Sequence, residues 1–165
     1  MRVVVIGGTG HVGTFLIPRL VHAGYEVVCL HRGGKPYLES PAWEKVQHVV
    51  IDRKAEDAAG TFGERVNRLK PDIVIDMICF NSESARQLVE ALRGQVRHYL
   101  CCGTVWVHGY NKIVPVTEDM PRCPLGEYGT KKVQLEAYLR KSPSSRFPRY
   151  TRASGPHCRA GLGAA

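Results

Sequence analysis

Val3-Val4-Val5-Ile6-Gly7-Gly8-Thr9-Gly10-His11-Val12-Gly13 decides the reading of this chain, because an unbroken apolar run passes directly into glycines at positions 7, 10 and 13. Arg2 to Ile6 reads as a short buried strand, and Val12, Phe15, Leu16 and Leu20 then recur at helical spacing. A strand that turns this tightly into a helix asks for glycine three times. One lets the chain leave the strand, one lets a pyrophosphate approach the backbone, and one lets the helix lie close on the strand. His11 and Val12 open that helix, whose free N–H groups and positive dipole end favour an anion. Gly7, Gly10, His11, Val12 and Gly13 are the candidate dinucleotide cradle; the competing reading is a glycine-rich turn that serves packing alone.

The 165 residues fit one domain with a real core, and 44% hydrophobic with 23% charged residues is the composition of an ordinary soluble globule. No run is long and apolar enough for a membrane span, and the chain starts in a strand with no signal-peptide pattern, so a cytoplasmic protein without membrane contact is expected. Cys29, Cys79, Cys101 and Cys102 lie in apolar strand-like runs, no C-x-x-C pair occurs, and the seven histidines lack ligand spacing. They predict small core thiols in a reducing compartment and no metal. The net charge of +8 comes largely from Arg140, Lys141, Arg146, Arg149, Arg152 and Arg159, which follow one another without an acid. That stretch has only Phe147 and Tyr150 as aromatics, too few for a single-strand stacking surface, and this argues against nucleic acid as the partner.

Strand and helix signals alternate along the body, the signature of a parallel sheet covered on both faces. Helix is expected from about His11 to His22, stopping at Gly24 and bent by Pro18. Strands are expected at Glu26 to Leu30, Val46 to Ile51, Asp72 to Ile78 and Val96 to Cys102, with further helices at Lys54 to Lys70, Asn81 to Arg93 and Tyr128 to Arg140. The fold class is an α/β doubly wound parallel sheet with its site at the carboxyl ends of the strands. At the end of the second strand an acid would bond the adenosine ribose hydroxyls; Leu30, His31, Arg32 and Lys35 stand there instead, favouring NADP over NAD. Asp52 closes the third strand and is placed to accept from the adenine amino group. Met77 and Ile78 leave the fourth strand where they could cover the base, and Asp76 is a second polar candidate or a packing residue.

The second half supplies chemistry. Tyr128 and Lys132 are four apart and share a helical face. A phenol, with an ordinary pKa of about 10, is a poor acid or base at neutral pH, and a nearby ammonium stabilises its phenolate. Such a pair is most often a surface pairing, but here it follows a glycine-rich cofactor loop and lies 24 residues after Thr104, a hydroxyl at the exit of the fifth strand.

On these residues the chain resembles the extended branch of the short-chain dehydrogenase/reductase family, the NAD(P)-dependent epimerases, dehydratases and reductases with a Rossmann fold. Gly-Gly-Thr-Gly-His-Val-Gly is similar to the family's extended-type fingerprint, Gly103-Thr-Val-Trp-Val-His-Gly109 to its fifth-strand Ser/Thr motif, and Tyr128-Gly-Thr-Lys-Lys132 to its catalytic pair. The resemblance implies that Thr104 holds the substrate oxygen, Tyr128 acts as acid/base, and Lys132 tunes the tyrosine and binds the cofactor ribose. It implies hydride transfer at a nicotinamide, net or transient, on a small-molecule substrate such as a nucleotide sugar. Thr104 replaces the commoner serine, and His108 stands where tyrosine is frequent.

The resemblance covers residues 1–141, the expected nucleotide-binding domain, in a family about twice as long; the small carboxyl-terminal substrate domain has no counterpart. Residues 142–165 show no strand alternation or helical stripe and read as a basic, disordered tail. Back-translated and read one base later, Arg149 to Gly161 can encode Ala-Thr-Leu-Val-Arg-Pro-Gly-His-Ile-Val-Gly-Pro-Gly, which resembles the family's next strand and loop. The expectation is a reading frame that slips just after Pro148, giving a truncated member. Three outcomes stay open: an active oxidoreductase or epimerase, a truncated NADP-binding remnant without catalysis, and a partner- or nucleic-acid-binding module. An exposed edge strand in a truncated sheet also predicts a chain that is aggregation-prone or forms a homo-oligomer.

Overall fold

The computed structural model describes residues 1–110 and 114–142. They form two compact units, Met1–Cys79 with Glu83–Cys102, and Phe80–Ser82 with Gly103–Ser142. The expected basic tail and its frame slip lie outside the described residues.

The first unit is built on β1 (Arg2–Ile6), β2 (Glu26–His31), β3 (Gln47–Val50), β4 (Ile73–Asp76) and β5 (His98–Cys101), ordered β3-β2-β1-β4-β5 with every neighbouring pair parallel. Central parallel strands are buried on both faces and so read as continuous apolar runs. Val3, Val4, Val5, Val27, Val28, Cys29 and Leu30 are all buried, whereas the edge strand β3 is largely exposed. One face gathers Val3, Val5, Val27 and Cys29 beneath Ile17 of α1 (His11–His22). The opposite face, carrying Val4, Val28 and Val74, belongs with α2 (Arg53–Ala59), α3 (Phe62–Arg68) and α4 (Ser82–Leu92), whose Phe62, Val66, Leu88 and Leu92 are buried. The chain runs outward from β1 in both directions, so β1 and β4 flank a switch point at their carboxyl ends, where such sheets bind ligands. The expected doubly wound Rossmann sheet is therefore present as five strands.

Boundaries differ where local capping overrides periodicity. The single helix expected at Lys54 to Lys70 is two, because Gly60 takes a left-handed φ of 69° that ends α2. Gly63 then allows α3 to pack tightly, since a Cβ there would come within 2.6 Å of Ala91 Cβ. The expected β3, β4 and β5 are trimmed at their ends, leaving Ile51, Met77 and Ile78 just beyond regular pairing. α1 runs through Pro18 as one continuous helix. Cys29 and Cys79 are buried as expected, but Cys101 and Cys102 are half-buried. In the second unit, α5 spans Gly126–Lys141 and begins two residues earlier than expected, and a short 3-10 helix at Val105–His108 has no counterpart in the sequence pattern. No helix among the described residues is long and apolar enough to cross a membrane.

Asp52 is the N-cap of α2, its Oδ1 accepting from the N–H groups of Lys54 at 2.9 Å and Ala55 at 3.2 Å. Replacement by Ala should cost about 1 kcal/mol of stability in urea denaturation. An Asp52 that served a ligand alone would leave the urea midpoint unchanged.

Candidate active site

In the first unit the glycines divide their work. Gly7 has φ 79°, bonds through its N–H to Leu30 O at 2.8 Å, and leaves no room for a side chain because a Cβ would lie 2.7 Å from Ile78 Cγ2. Gly13 lies so close to Gly8 that a Cβ would collide with the Gly8 carbonyl, so its absence lets α1 start against the turn. Gly8, outside the glycine spacing that marks the motif, is equally constrained: a Cβ would meet Ile17 Cδ1 at 2.5 Å and Cys29 Sγ at 2.8 Å. Gly10 is different. Its φ is −76°, an ordinary value, and the only neighbour a Cβ would meet is Gly7 O at 3.5 Å. Among the described residues nothing demands glycine there, and the open space above it would admit close approach of an outside group.

Gly10 is also the N-cap of α1; it offers no side chain to the helix start, and the first turn carries no acid. The amides of His11, Val12 and Gly13 thus face outward with the positive end of a twelve-residue helix, an arrangement suited to a pyrophosphate. His11 stacks flat on Tyr37, with ring centroids 4.2 Å apart, and Tyr37 N–H donates to Thr14 Oγ1 at 3.2 Å. These contacts fold the loop after β2 back beside the cradle. Arg32 and Lys35 on that loop are exposed and form no ion pair among the described residues. Met77 N–H bonds to Ile6 O at 3.0 Å and its side chain packs on the α1-side core, while Ile78 lies against Gly7. Asp76 is wholly buried and ion-paired with Arg53 at 2.6 Å, the packing alternative raised for it.

In the second unit, Thr104 caps the Val105–His108 helix by accepting from Trp106 N–H at 3.3 Å, which leaves its own O–H proton available to an outside oxygen. Gly129 lets α5 pack on that segment, because a Cβ would sit 2.9 Å from Trp106 O. Tyr128 and Lys132 occupy one face of α5, with Tyr128 44% exposed and Lys132 only 2%. Phe80 joins them: its ring lies 6.4 Å from the Tyr128 ring, and Lys132 Nζ lies 5.5 Å from its centroid. In the sequence Phe80 merely extends the apolar run leaving β4, and nothing there marks it as a site residue. His108 is buried and faces Pro121 O at 3.2 Å through Nδ1.

A parallel sheet with a glycine-lined helix start at its switch point defines a Rossmann-type nucleotide-binding protein. The model of the NAD dependent epimerase/dehydratase family matches residues 3–159, and the chain belongs to that family. It is 34% identical over 140 residues to 2′-dehydrokanamycin reductase of Streptomyces kanamyceticus, covering 85% of this chain and 38% of that protein. It is 30% identical over 154 residues to UDP-glucose 4-epimerase of Streptomyces lividans, covering 82% and 45%. A UDP-galactose 4-epimerase structure superposes with a TM-score of 0.68 at 25% identity, over 85% of this chain and 50% of that one. The chain spans half or less of the length of these relatives.

The contact between Gly13 and Gly8 can be tested directly. Gly13→Ala should destabilise the chain by about 1–3 kcal/mol in urea, the usual cost of overpacking a site that must shift to admit a methyl group. A pH dependence is expected from His31, whose Nδ1 accepts from Gly33 N–H at 3.0 Å and whose Nε2 lies 3.1 Å from His48 Nδ1. An accepting Nδ1 carries no proton, so neutral His31 donates from Nε2 to His48. Desolvation, then His48, hold His31 below its ordinary 6.5. Protonation therefore costs more in the folded than in the unfolded chain, and stability present above about pH 6.5 is lost as pH falls through the depressed folded value. The Tm should drop between pH 7.5 and 5.5, less steeply in His31→Asn.

Proposed function

We propose that this chain is an NAD(P)-dependent oxidoreductase or epimerase of the extended short-chain type, with a small-molecule substrate of the nucleotide-sugar kind. Gly10 carries the reading: no contact among the described residues requires glycine there, and it stands at an uncapped helix start beside the cations of Arg32 and Lys35. Gly7, Gly10, His11, Val12 and Gly13 would hold the pyrophosphate of a nicotinamide dinucleotide. Arg32 and Lys35 would favour a 2′-phosphate, making NADP the preferred cofactor and NAD the second, although a solved UDP-glucose 4-epimerase of Bifidobacterium longum holds NAD+ and UDP. Asp52 would reach the adenine amino group with an oxygen not committed to its cap, and Met77 and Ile78 would cover the base. Bound there, the nicotinamide supplies hydride transfer.

The chain's own residues supply the proton chemistry. Thr104 would donate its free O–H to the substrate oxygen. Tyr128 would give a proton to a forming hydroxyl or take one from a hydroxyl undergoing oxidation. Lys132 would hold positive charge beside the phenol and bond the cofactor ribose. A second reading is nicotinamide-dinucleotide binding by the first unit without turnover, carried by the same glycine loop.

Titrating NADH and NADPH by nicotinamide fluorescence tests the binding half: NADPH should bind more tightly, and Arg32→Ser with Lys35→Ser should remove that preference. Binding of neither nucleotide would sink both readings. Turnover with UDP-hexoses and small carbonyl compounds tests the chemistry, and Tyr128→Phe should lower kcat by about 10²–10⁴-fold, as loss of general acid–base catalysis does. Cofactor binding without turnover selects the second reading.

A further inference from the structure

The first unit buries a charged cluster that the proposed chemistry does not use. Arg53, 7% exposed, donates from Nη1 to Asp76 Oδ1 at 2.6 Å and from Nε to Asp57 Oδ2 at 3.2 Å, and its guanidinium carbon lies 4.8 Å from the Phe62 ring centroid. Asp76, with no exposed surface, also accepts from Tyr99 O–H at 3.1 Å through Oδ2 and from Ile78 N–H at 3.2 Å through Oδ1. Burial alone would favour a neutral Arg53, but the Asp76 charge and hydrogen bond outweigh it and hold the guanidinium well above its ordinary range. Burial, then the Asp76 charge, push the Tyr99 phenol well above its ordinary value, so it remains a donor. A buried ion pair is costly to keep, and apolar residues of similar volume are often no less stable. Its position gives it a use. Asp76 is the last residue of β4, and the Ile78 amide it holds belongs to the residue packed against Gly7.

We propose that Arg53 and Asp76 are positioning residues for the cofactor, their pair fixing the loop after β4 so that Ile78 stays seated against Gly7 and the cradle's first turn keeps its shape. This rests on reading the glycine loop as a nicotinamide-dinucleotide site. Each link is short and defined: guanidinium to carboxylate, carboxylate oxygen to Ile78 N–H, Ile78 side chain to Gly7. Tyr99 shares the cluster but is off that path, because it bonds the other carboxylate oxygen.

The test compares three variants by thermal melting and by NADH and NADPH titration. Arg53→Met/Asp76→Leu removes both members of the fully buried pair together, leaving only the partly exposed Asp57 without its Arg53 contact, and removes the acceptor for Ile78 N–H. It should fold and lose about tenfold in affinity for both nucleotides, the worth of one lost anchoring hydrogen bond. Arg53→Met/Asp76→Asn restores an acceptor without the ion pair and should regain part of that loss. Tyr99→Phe should lower the Tm and leave both dissociation constants unchanged. Wild-type affinity in the folded Leu variant would overturn the proposal, as would an equal loss in Tyr99→Phe. If the Leu variant does not fold, the Asn variant decides: an affinity reduced about threefold, as an anchor weakened rather than lost implies, supports the path, and unchanged affinity refutes it. Binding of neither nucleotide by the unmodified chain defeats the cofactor reading and this inference with it.

Discussion

The approach of α1 to the turn after β1 is the constraint on which the first unit is built. Gly13 and Gly8 meet where a Cβ on either would overlap its neighbours, so two side chains are given up for proximity. Glycine loses more conformational freedom on folding than any other residue, and the loss must be offset nearby. The offset is visible: Ile17 and Cys29 fill the space above Gly8, and both are wholly buried with Val3, Val5 and Val27. The same approach fixes the helix start at the carboxyl end of the central strand. Fold stability and the placement of the helix start are therefore set by one contact, and a substitution there cannot change one without the other.

The two faces of the sheet solve burial differently. The α1 face is filled by aliphatic side chains and Cys29. The opposite face is aliphatic near its middle, at Val4, Val28 and Val74, and turns ionic at the carboxyl edge with Arg53, Asp76 and Tyr99. A core residue chosen for stability alone would sooner be apolar at position 76, because desolvating two charges offsets much of their attraction. The pair lies instead at the carboxyl edge, where Asp76 also accepts from the amide of Ile78, the residue beside Gly7.

What can be read from the sequence follows from which forces are local. Strands β1 and β2 and helix α1 are legible there, since burial on both faces writes continuous apolar runs and a turn with this glycine spacing almost always joins a strand to a helix. The break between α2 and α3 is not, although Gly60 and Gly63 stand in plain view: whether glycine merely weakens a helix or ends it depends on its φ, which the residue type leaves open. Asp52 reads in the sequence as a ligand to adenine, and its competing use as a helix cap follows the ordinary preference for Asp at that position. The Arg53–Asp76 pair and the place of Phe80 are invisible at that level, since each joins residues more than twenty apart whose meeting is fixed only by the order of strands and helices.

The Tyr128–Lys132 pair shows how structure weighs a common motif. Tyr-x-x-x-Lys is ordinarily a surface pairing, and α5 carries a pairing of that ordinary kind one residue earlier: Glu127 and Lys131, also four apart, form an exposed ion pair at 2.5 Å. Lys132 is a lysine on the same helix with the same spacing from Tyr128, yet it is 2% exposed with its ammonium toward the Phe80 ring. An ammonium withdrawn from water forfeits strong hydration, and an aromatic face recovers part of it. Surface solubility does not require that arrangement, because Lys131 meets that need from the adjacent position. The contrast sets Lys132 apart from a surface pairing and leaves a buried cation held one turn from a phenol that is itself open to solvent, the disposition a tyrosine needs if it is to exchange protons with something outside the chain.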